Sequence, residues 1–345
     1  MRHFMDDTLS DLQSLSSAGA GLCLSVERFL LQDLRIQRGA RFVMGVSGGA
    51  DSTALAVVMR ILMQRNAFEL SALTVNHRLR RDSAQDAESV LAFCKRLNID
   101  CALRETDAAD FAAQNRLGLE EAGRTMRYAF FEQERCARKA DFIALGHHTG
   151  DLTEDVLLRL IRGTGWPALG GMPAYDGARR LVRPLLFSKP AALKALLREC
   201  GVAWREDASN ASLRFRRNRL RHTVLPLLRK ENPALDRTVA GLWRLAQRDR
   251  DFWDTHLANA LAVHPWQETS NGLILPKELL RVLHPAARLR LYHKCVRRLG
   301  TGQARAETLL ALDAAWVENR GNTRFQLPGA LEAKLAGGAV CFKSP

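Results

Sequence analysis

The 345-residue chain is 47% hydrophobic and sets 51 lysines and arginines against 37 acids, a net charge of +14 with a pI of about 10.0. That apolar share excludes wholesale disorder, and the length suffices for the cores of two domains, or three. The charge favours a polyanionic partner, nucleic acid or an anionic membrane, through steering and counterion release; a basic but ordinary enzyme surface is the bland alternative.

Residues 1–38 read as a leading extension with one helix near Leu24–Ile36. Arg41 to Val46 has the apolar make-up of a strand, and a helix follows from about Asp51 to Gln64. Glu69 to Val75 reads as a second strand, and Ser83 with Asp86 forms a capping pair for a helix reaching about Leu97. Cys101 to Arg104 is a third strand, Leu119 to Lys139 has helical periodicity, and Phe142 to Leu145 is a short strand before Gly146. This alternation predicts an α/β fold, a parallel sheet covered by helices. After about Pro226 the composition shifts. Residues 234–262 and 276–317 are helical in pattern, and the tail from Thr323 to Phe342 suggests a small sheet or hairpin. The expected division is a catalytic domain over 39–228 and a mainly helical domain with a short β tail over 229–345.

Seven cysteines, an odd number without a Cys-x-x-Cys pair, indicate neither a disulfide framework nor a zinc ribbon. Such usage suits a reducing compartment. Asp6, Asp7 and Asp11 precede any sustained apolar stretch, unlike a secretory signal, and Arg60 interrupts the longest early apolar run. A cytoplasmic protein away from membranes is expected. Its oligomeric state is left open, a homodimer included.

The densest signal is Val46-Ser47-Gly48-Gly49-Ala50-Asp51-Ser52, a turn of small residues between strand and helix. Glycines let main-chain amides approach an anion, and amides at a helix start form a phosphate cradle. Ser47 and Ser52 add hydroxyl donors, whereas Asp51 repels phosphate and suits Mg²⁺ or a main-chain donor. Without more, a tight turn that merely avoids clashes would explain the glycines. The full Ser-Gly-Gly-x-Asp-Ser string resembles the PP-loop of the N-type ATP pyrophosphatases. That resemblance implies that Ser47, Gly48, Gly49, Ala50, Asp51 and Ser52 hold the pyrophosphate end of ATP while the α-phosphorus is attacked.

Further strings are similar to the tRNA(Ile)-lysidine synthetase branch of that family. Val75-Asn76-His77-Arg78-Leu79-Arg80 matches a segment near the nucleotide, which adds Asn76 and His77 to the ATP set. Glu120 to Tyr128 matches a helix whose Arg124 and Arg127 share one face. Gly146-His147-His148-Thr149-Gly150-Asp151-Leu152-Thr153-Glu154 leaves a strand and enters a helix. His147, Asp151 and Glu154 there suit a metal, a lysine ammonium or its proton, although capping alone would explain Asp151. The usual second acid before Asp151 is replaced by Gly150, and Asp155 is a candidate for restoring its charge. Arg162 with its glycine-rich loop, and the run holding Arg217, Asn218 and Arg221, match family segments on the tRNA side. Seven basic residues and no acid between Leu213 and Lys230 suit RNA phosphates, and the resemblance implies that the domain over 229–345 binds tRNA.

The resemblance implies a ligase that adenylates the wobble cytidine of a tRNA(Ile) with a CAU anticodon and then joins free L-lysine to it, with ATP as co-substrate and Mg²⁺. Asp51, His147, Asp151 and Glu154 are the catalytic candidates, Asp51 also the Mg²⁺ ligand. A tRNA thiolase, weakened by the missing Cys-x-x-Cys, and a non-catalytic RNA-binding protein are the alternatives.

Overall fold

The computed structural model describes residues 11–76, 83–206, 216–300, 302 and 304–344. They form two compact units, one running to Leu158 and resuming over Gly171–Ala240, the other made of Arg159–Gly170 and the chain from Gly241. No helix among the described residues is long and apolar enough to cross a membrane.

In the first unit, α1 (Ser17–Arg28) passes through a π-helical turn at Phe29–Asp33 into β1 (Arg41–Gly45). Then come α2 (Ala50–Asn66), β2 (Glu69–Asn76), α3 (Ser83–Arg96), β3 (Asp100–Glu105), α4 (Ala108–Asn115), α5 (Leu119–Ala137), β4 (Phe142–Ala144) and α6 (Thr149–Ile161). β5 (Tyr175–Asp176), β6 (Leu181–Val182), α7 (Pro190–Glu199), α8 (Arg216–Arg219) and α9 (Leu225–Glu231) follow. The sheet order is β3-β2-β1-β4-β6-β5, parallel throughout except for the β5–β6 hairpin.

Both faces of this sheet are dry, as a parallel sheet requires. Side chains alternate along a strand, so Phe42 and Met44 of β1 pack with α2 residues such as Leu55, Met59 and Leu62. Val43, on the other face, joins Leu73, Ile143, Leu181 and Phe131 of α5. α2 is buried nearly all round, which explains why its apolar residues show little periodicity. The four strands read from the sequence are β1 to β4. The two-residue strands β5 and β6 are too short to carry an alternation signal, and their pairing is fixed by neighbours.

The second unit takes in most of α10 (Leu235–Val263), then β7 (Gln267–Thr269), β8 (Gly272–Leu275), α11 (Lys277–Val282), α12 (Pro285–Leu299), α13 (Ala306–Val317), β9 (Arg324–Gln326), β10 (Glu332–Ala336) and β11 (Ala339–Lys343). The tail expected as a small sheet is larger than it reads. β11 pairs with β8 as well as β10, giving a five-stranded sheet in the order β7-β8-β11-β10-β9. Leu273, Leu275, Val340 and Phe342 meet Leu291 and Tyr292 of α12 in its core.

One buried ion pair stands in that core. Arg288 of α12 donates from Nε and Nη2 to the two Asp313 oxygens at 2.7 and 2.9 Å, and Tyr292 Oη donates to Asp313 at 3.2 Å. Asp313→Ala would strand the Arg288 guanidinium, so it should cost about 3–5 kcal/mol in denaturant unfolding. Glu268→Ala breaks the exposed pair with Arg298, both side chains more than half exposed, and should cost about 0–1 kcal/mol in the same assay. Equal losses would contradict the burial argument.

Candidate active site

β1 and β4 are adjacent, with Met44 opposite Ala144, and β1 connects to β2 on one side while β4 borders β6 on the other. Such a reversal leaves a crevice beyond the strand ends, the place where open α/β sheets bind ligands.

The loop from β1 to α2 is drawn tight by its own side chains. Ser52 Oγ accepts the Ser47 N–H at 3.0 Å and donates to the Gly49 carbonyl at 3.1 Å. The Gly48 carbonyl accepts the Arg205 N–H at 2.9 Å. Gly48 has φ +79°, a torsion that side chains disfavour. Carbonyls are thereby engaged, while the N–H groups of Gly48, Gly49, Asp51 and Ser52 have no acceptor among the described residues. Free amides at the start of a 17-residue helix make a cradle for an anion. Asn76, at the end of β2, is buried and donates to Glu105 at 3.1 Å. His77 lies outside the described residues.

The chain leaving β4 passes close beside this loop. A Cβ at Gly146 would stand 2.7 Å from the Asp51 carbonyl oxygen, so only glycine permits the approach. The next residues form a reciprocal cap on α6. The His148 N–H donates to Asp151 Oδ2 at 3.0 Å, and the Asp151 N–H donates to His148 Nδ1 at 3.3 Å. This cap turns the His148 imidazole between two acids, Nε2 lying 3.4 Å from Asp51 Oδ1 and Nδ1 3.5 Å from Asp151 Oδ2. Burial disfavours the imidazolium, but the hydrogen bond with Asp51 and the Asp151 charge outweigh it, and His148 is held above its ordinary value. His147 differs. Burial, aided by the Arg183 and Arg217 charges and opposed by Asp151, pushes it down to about 3. Its Nδ1 is buried without a partner among the described residues.

Asp151 and Glu154 project together from α6, 7% and 2% exposed. Two arginines from the α8 region cover them. Arg217 donates to Asp151 and Glu154, each at 2.7 Å. Arg221 donates to Asp151 at 3.1 Å and to Glu154 Oε2 at 3.0 Å, and its Nε bonds Glu154 Oε1. Burial raises the Asp151 carboxyl, but the His148 and Arg217 charges overcome it and hold the group below the ordinary carboxylate range. Asp151 and Glu154 thus meet the guanidiniums of Arg217 and Arg221 two against two, while the half-exposed Asp51 meets His148. The Asp51 hydrogen bond and the Asp151 charge are the physical origin of the raised His148.

The remaining candidates lie on other parts of the chain. Arg124 and Arg127 are exposed on α5, Arg124 lying 5.5 Å from the Tyr128 ring centroid with Arg179 at 5.3 Å. Asn218 is half-buried on α8, and Arg162 belongs to the second unit. Asp155 acts electrostatically on Arg183 and Arg217. Gly150 is packed against the imidazole: a Cβ there would be 2.9 Å from His148 Cε1. His148 and the buried Arg183 are the participants that sequence reasoning did not select. The i,i+3 spacing of a capping box is the signal that could have singled out His148 over His147.

The two histidines should tilt stability in opposite senses. His148, raised above 6.5, contributes stability that is full below 6.5 and is lost as pH climbs through its folded value. His147, lowered to about 3, makes stability fall as pH drops from 6.5 toward 3. Urea midpoints measured across pH should therefore show His148→Gln losing the alkaline-side decline and His147→Asn losing the acid-side decline. Superimposable profiles for both variants and the parent would overturn these assignments.

Known proteins resemble the chain at several levels. The PP-loop domain family matches residues 24–228. A tRNA(Ile)-lysidine synthase from Nitratidesulfovibrio vulgaris is 47% identical over 88% of this chain and 92% of that protein. Enzymes of the same name from Solibacter usitatus and Geobacillus kaustophilus are each 34% identical, over 84% and 77% of this chain. The chain spans 64% and 60% of those two proteins. Among solved structures, a U34-tRNA thiolase from Methanococcus maripaludis aligns with a TM-score of 0.54, covering 66% of this chain and 78% of that one. At 18% identity that likeness shows the fold alone. With a phosphate cradle at the switch point of its sheet and a synthase relative matched along nearly its whole length, the chain belongs to the tRNA(Ile)-lysidine synthases, ligases of the PP-loop family.

Proposed function

We propose that this chain forms lysidine on a tRNA(Ile) with a CAU anticodon, and that it does so beyond the ends of β1 and β4. The observation that carries the reading is the set of amides at Gly48, Gly49, Asp51 and Ser52 without an acceptor among the described residues, beside the acids Asp51, Asp151 and Glu154.

In the first step the 2-carbonyl oxygen of the wobble cytosine attacks the α-phosphorus of ATP. An O–P bond forms, the bond to the bridging oxygen breaks, and pyrophosphate leaves. Charge grows on that leaving group, and amides already fixed in place stabilise it without reorganising. Ser47 and Ser52 add hydroxyls at the same turn, and Asn76 with His77 completes the nucleotide set. Asp51 fits a Mg²⁺ partner: it is a half-exposed hard oxygen donor at the loop, and phosphate oxygens would supply further ligands. Bound there, Mg²⁺ would neutralise phosphate charge.

In the second step the ε-amine of lysine attacks carbon 2 of the base, the C–O bond to the adenylate breaks, and AMP departs. Lysine enters as an ammonium, and the carboxylates of Asp51, Asp151 and Glu154 attract it. The ammonium must then lose a proton. We assign that proton to His148, the imidazole set between Asp51 and Asp151. His147, kept neutral by burial, lines the same pocket without carrying charge. Arg217 and Arg221 hold the two acids apart from water and from each other. Arg124, Arg127, Arg162 and Asn218 are assigned to the tRNA strand, where phosphate contacts set position and register.

The protein mixed with ATP and tRNA transcripts should release pyrophosphate, and labelled lysine should appear on tRNA(Ile) but not on tRNA(Met). Asp51→Ala should reduce pyrophosphate release by at least ~100-fold, the scale of losing a main charge-stabilising group. Arg221→Gln removes a cation that lowers His148, so the acid limb of kcat/KM for lysine should move to higher pH. Turnover by Asp51→Ala, or a limb that moves the other way, would sink the corresponding assignment.

A further inference from the structure

Asp86, Val90 and Cys94 are spaced four apart on α3 and so form one stripe. The first two lie against the phosphate loop. Asp86 pairs with Arg205, whose N–H donates to the Gly48 carbonyl at 2.9 Å. A Cβ at Gly48 would stand 3.2 Å from Val90 Cγ2, so loop and helix have no slack between them. Cys94, one turn further on, is fully buried in the same core.

The turn after α3 brings a second thiol back to it. Asn98 takes φ +53°, its N–H donates to the Lys95 carbonyl at 3.0 Å, and the Ile99 N–H donates to the Cys94 carbonyl at 2.9 Å. These are the two bonds of a Schellman ending, which reverses the chain over the last helical turn. β3 then starts at Asp100, and Cys101 packs on the core that holds Cys94. Cys101 is half-buried and lines a cavity of about 380 Å³ with Leu91, Lys95, Asn98, Ile99 and Asp100. One sulfur is reachable and the other enclosed. The hydrogen bond between the two thiols lowers Cys101, and it joins burial in raising Cys94. A lowered, accessible thiol beside a resolving one is the arrangement that hydroperoxides oxidise. Cys23 of α1 and Cys200 at the end of α7 are pushed up to about 12 and about 11 by burial, so neither offers a thiolate.

We propose that Cys94 and Cys101 are a redox-active dithiol, whose disulfide shifts α3 against the phosphate loop and weakens ATP binding. The Cys101 sulfur attacks a hydroperoxide: an S–O bond forms and the O–O bond breaks. The departing oxygen takes the Cys101 proton and leaves as an alcohol, or as water from hydrogen peroxide. The Cys94 sulfur then attacks Cys101, an S–S bond forms, the S–O bond breaks, and hydroxide leaves with the Cys94 proton as water. Two electrons pass from the sulfurs to the peroxide. The new bond draws α3 toward β3, and Val90 and Asp86 ride on the same helix. The effect on ATP rests on the reading of Gly48 to Ser52 as the nucleotide cradle.

The test treats the full chain with hydrogen peroxide, removes the excess, and maps the thiols by alkylation and peptide mass. The expected product is a linked Cys94–Cys101 peptide, two hydrogens lighter than the reduced pair and reversed by dithiothreitol. The Kd for ATP should rise about fivefold or more on oxidation, the low end of ordinary coupling between sites, and return on reduction. Cys101→Ser and Cys94→Ala should each keep the Kd of the reduced parent and lose the response to peroxide. Oxidation of Cys101 without a link to Cys94 would overturn the dithiol. A linked peptide with an unchanged Kd would overturn the tie to the loop, as would an equal response to peroxide in both variants. Pyrophosphate release by the reduced protein is scored alongside. Its absence, with the linked peptide formed, would refute lysidine synthesis and leave the dithiol standing. Its presence without the linked peptide refutes only the dithiol.

Discussion

A buried set of acids and arginines at the end of β4, met by Asp51 through His148, governs the chemistry available to this protein. Asp151 and Glu154 lie almost wholly out of water, where an isolated carboxylate is costly. They persist because Arg217 and Arg221 reach them from α8 and the turn after it. Asp51 adds a third acid through the His148 imidazole without adding a third cation. A carboxylate without its own guanidinium favours a proton, a metal or an ammonium beside it, and the imidazole of His148 is the group that fills that place here.

The backbone is what lets this charge sit next to the phosphate cradle. Strand β4 runs against β1, and Gly146 brings its exit within van der Waals distance of the Asp51 carbonyl. Any side chain at 146 would have to push the start of α2 away, and the amides of the loop before it. Two rigid elements, the ends of two central strands and a buried helix, thus hold the loop amides and the acid cluster side by side. That arrangement keeps polar groups near their working positions before substrate arrives, the condition under which fixed dipoles are most effective.

How much of this is legible in the sequence depends on the range of the interaction. The turn from Ser47 to Ser52 is local, so its residue types announce its conformation, and strands β1 to β4 follow from short apolar runs. Arg217 and Arg221 read as a basic surface because their acids are 63 to 70 residues away in sequence. Nothing in a charge run says which arginines turn inward. His147 and His148 are alike on paper. Their environments part because a capping box couples residue 148 to residue 151, and the neighbour is left buried with its Nδ1 unpaired among the described residues. In the second unit, Gln267 to Thr269 carries no strand signal, since its three side chains are exposed and its place is set by pairing with β8.

Gly150 shows how one departure from the family pattern fits this logic. An acid at 150 would need a Cβ within 2.9 Å of His148 Cε1, and the imidazole would have to move. Glycine instead leaves the ring free to lie between Asp51 and Asp151. Asp155 acts electrostatically on Arg183 and Arg217 and favours their charged forms. Its charge therefore supports the guanidinium that covers Asp151 and Glu154, so acids on both sides of Arg217 keep that cation at the site.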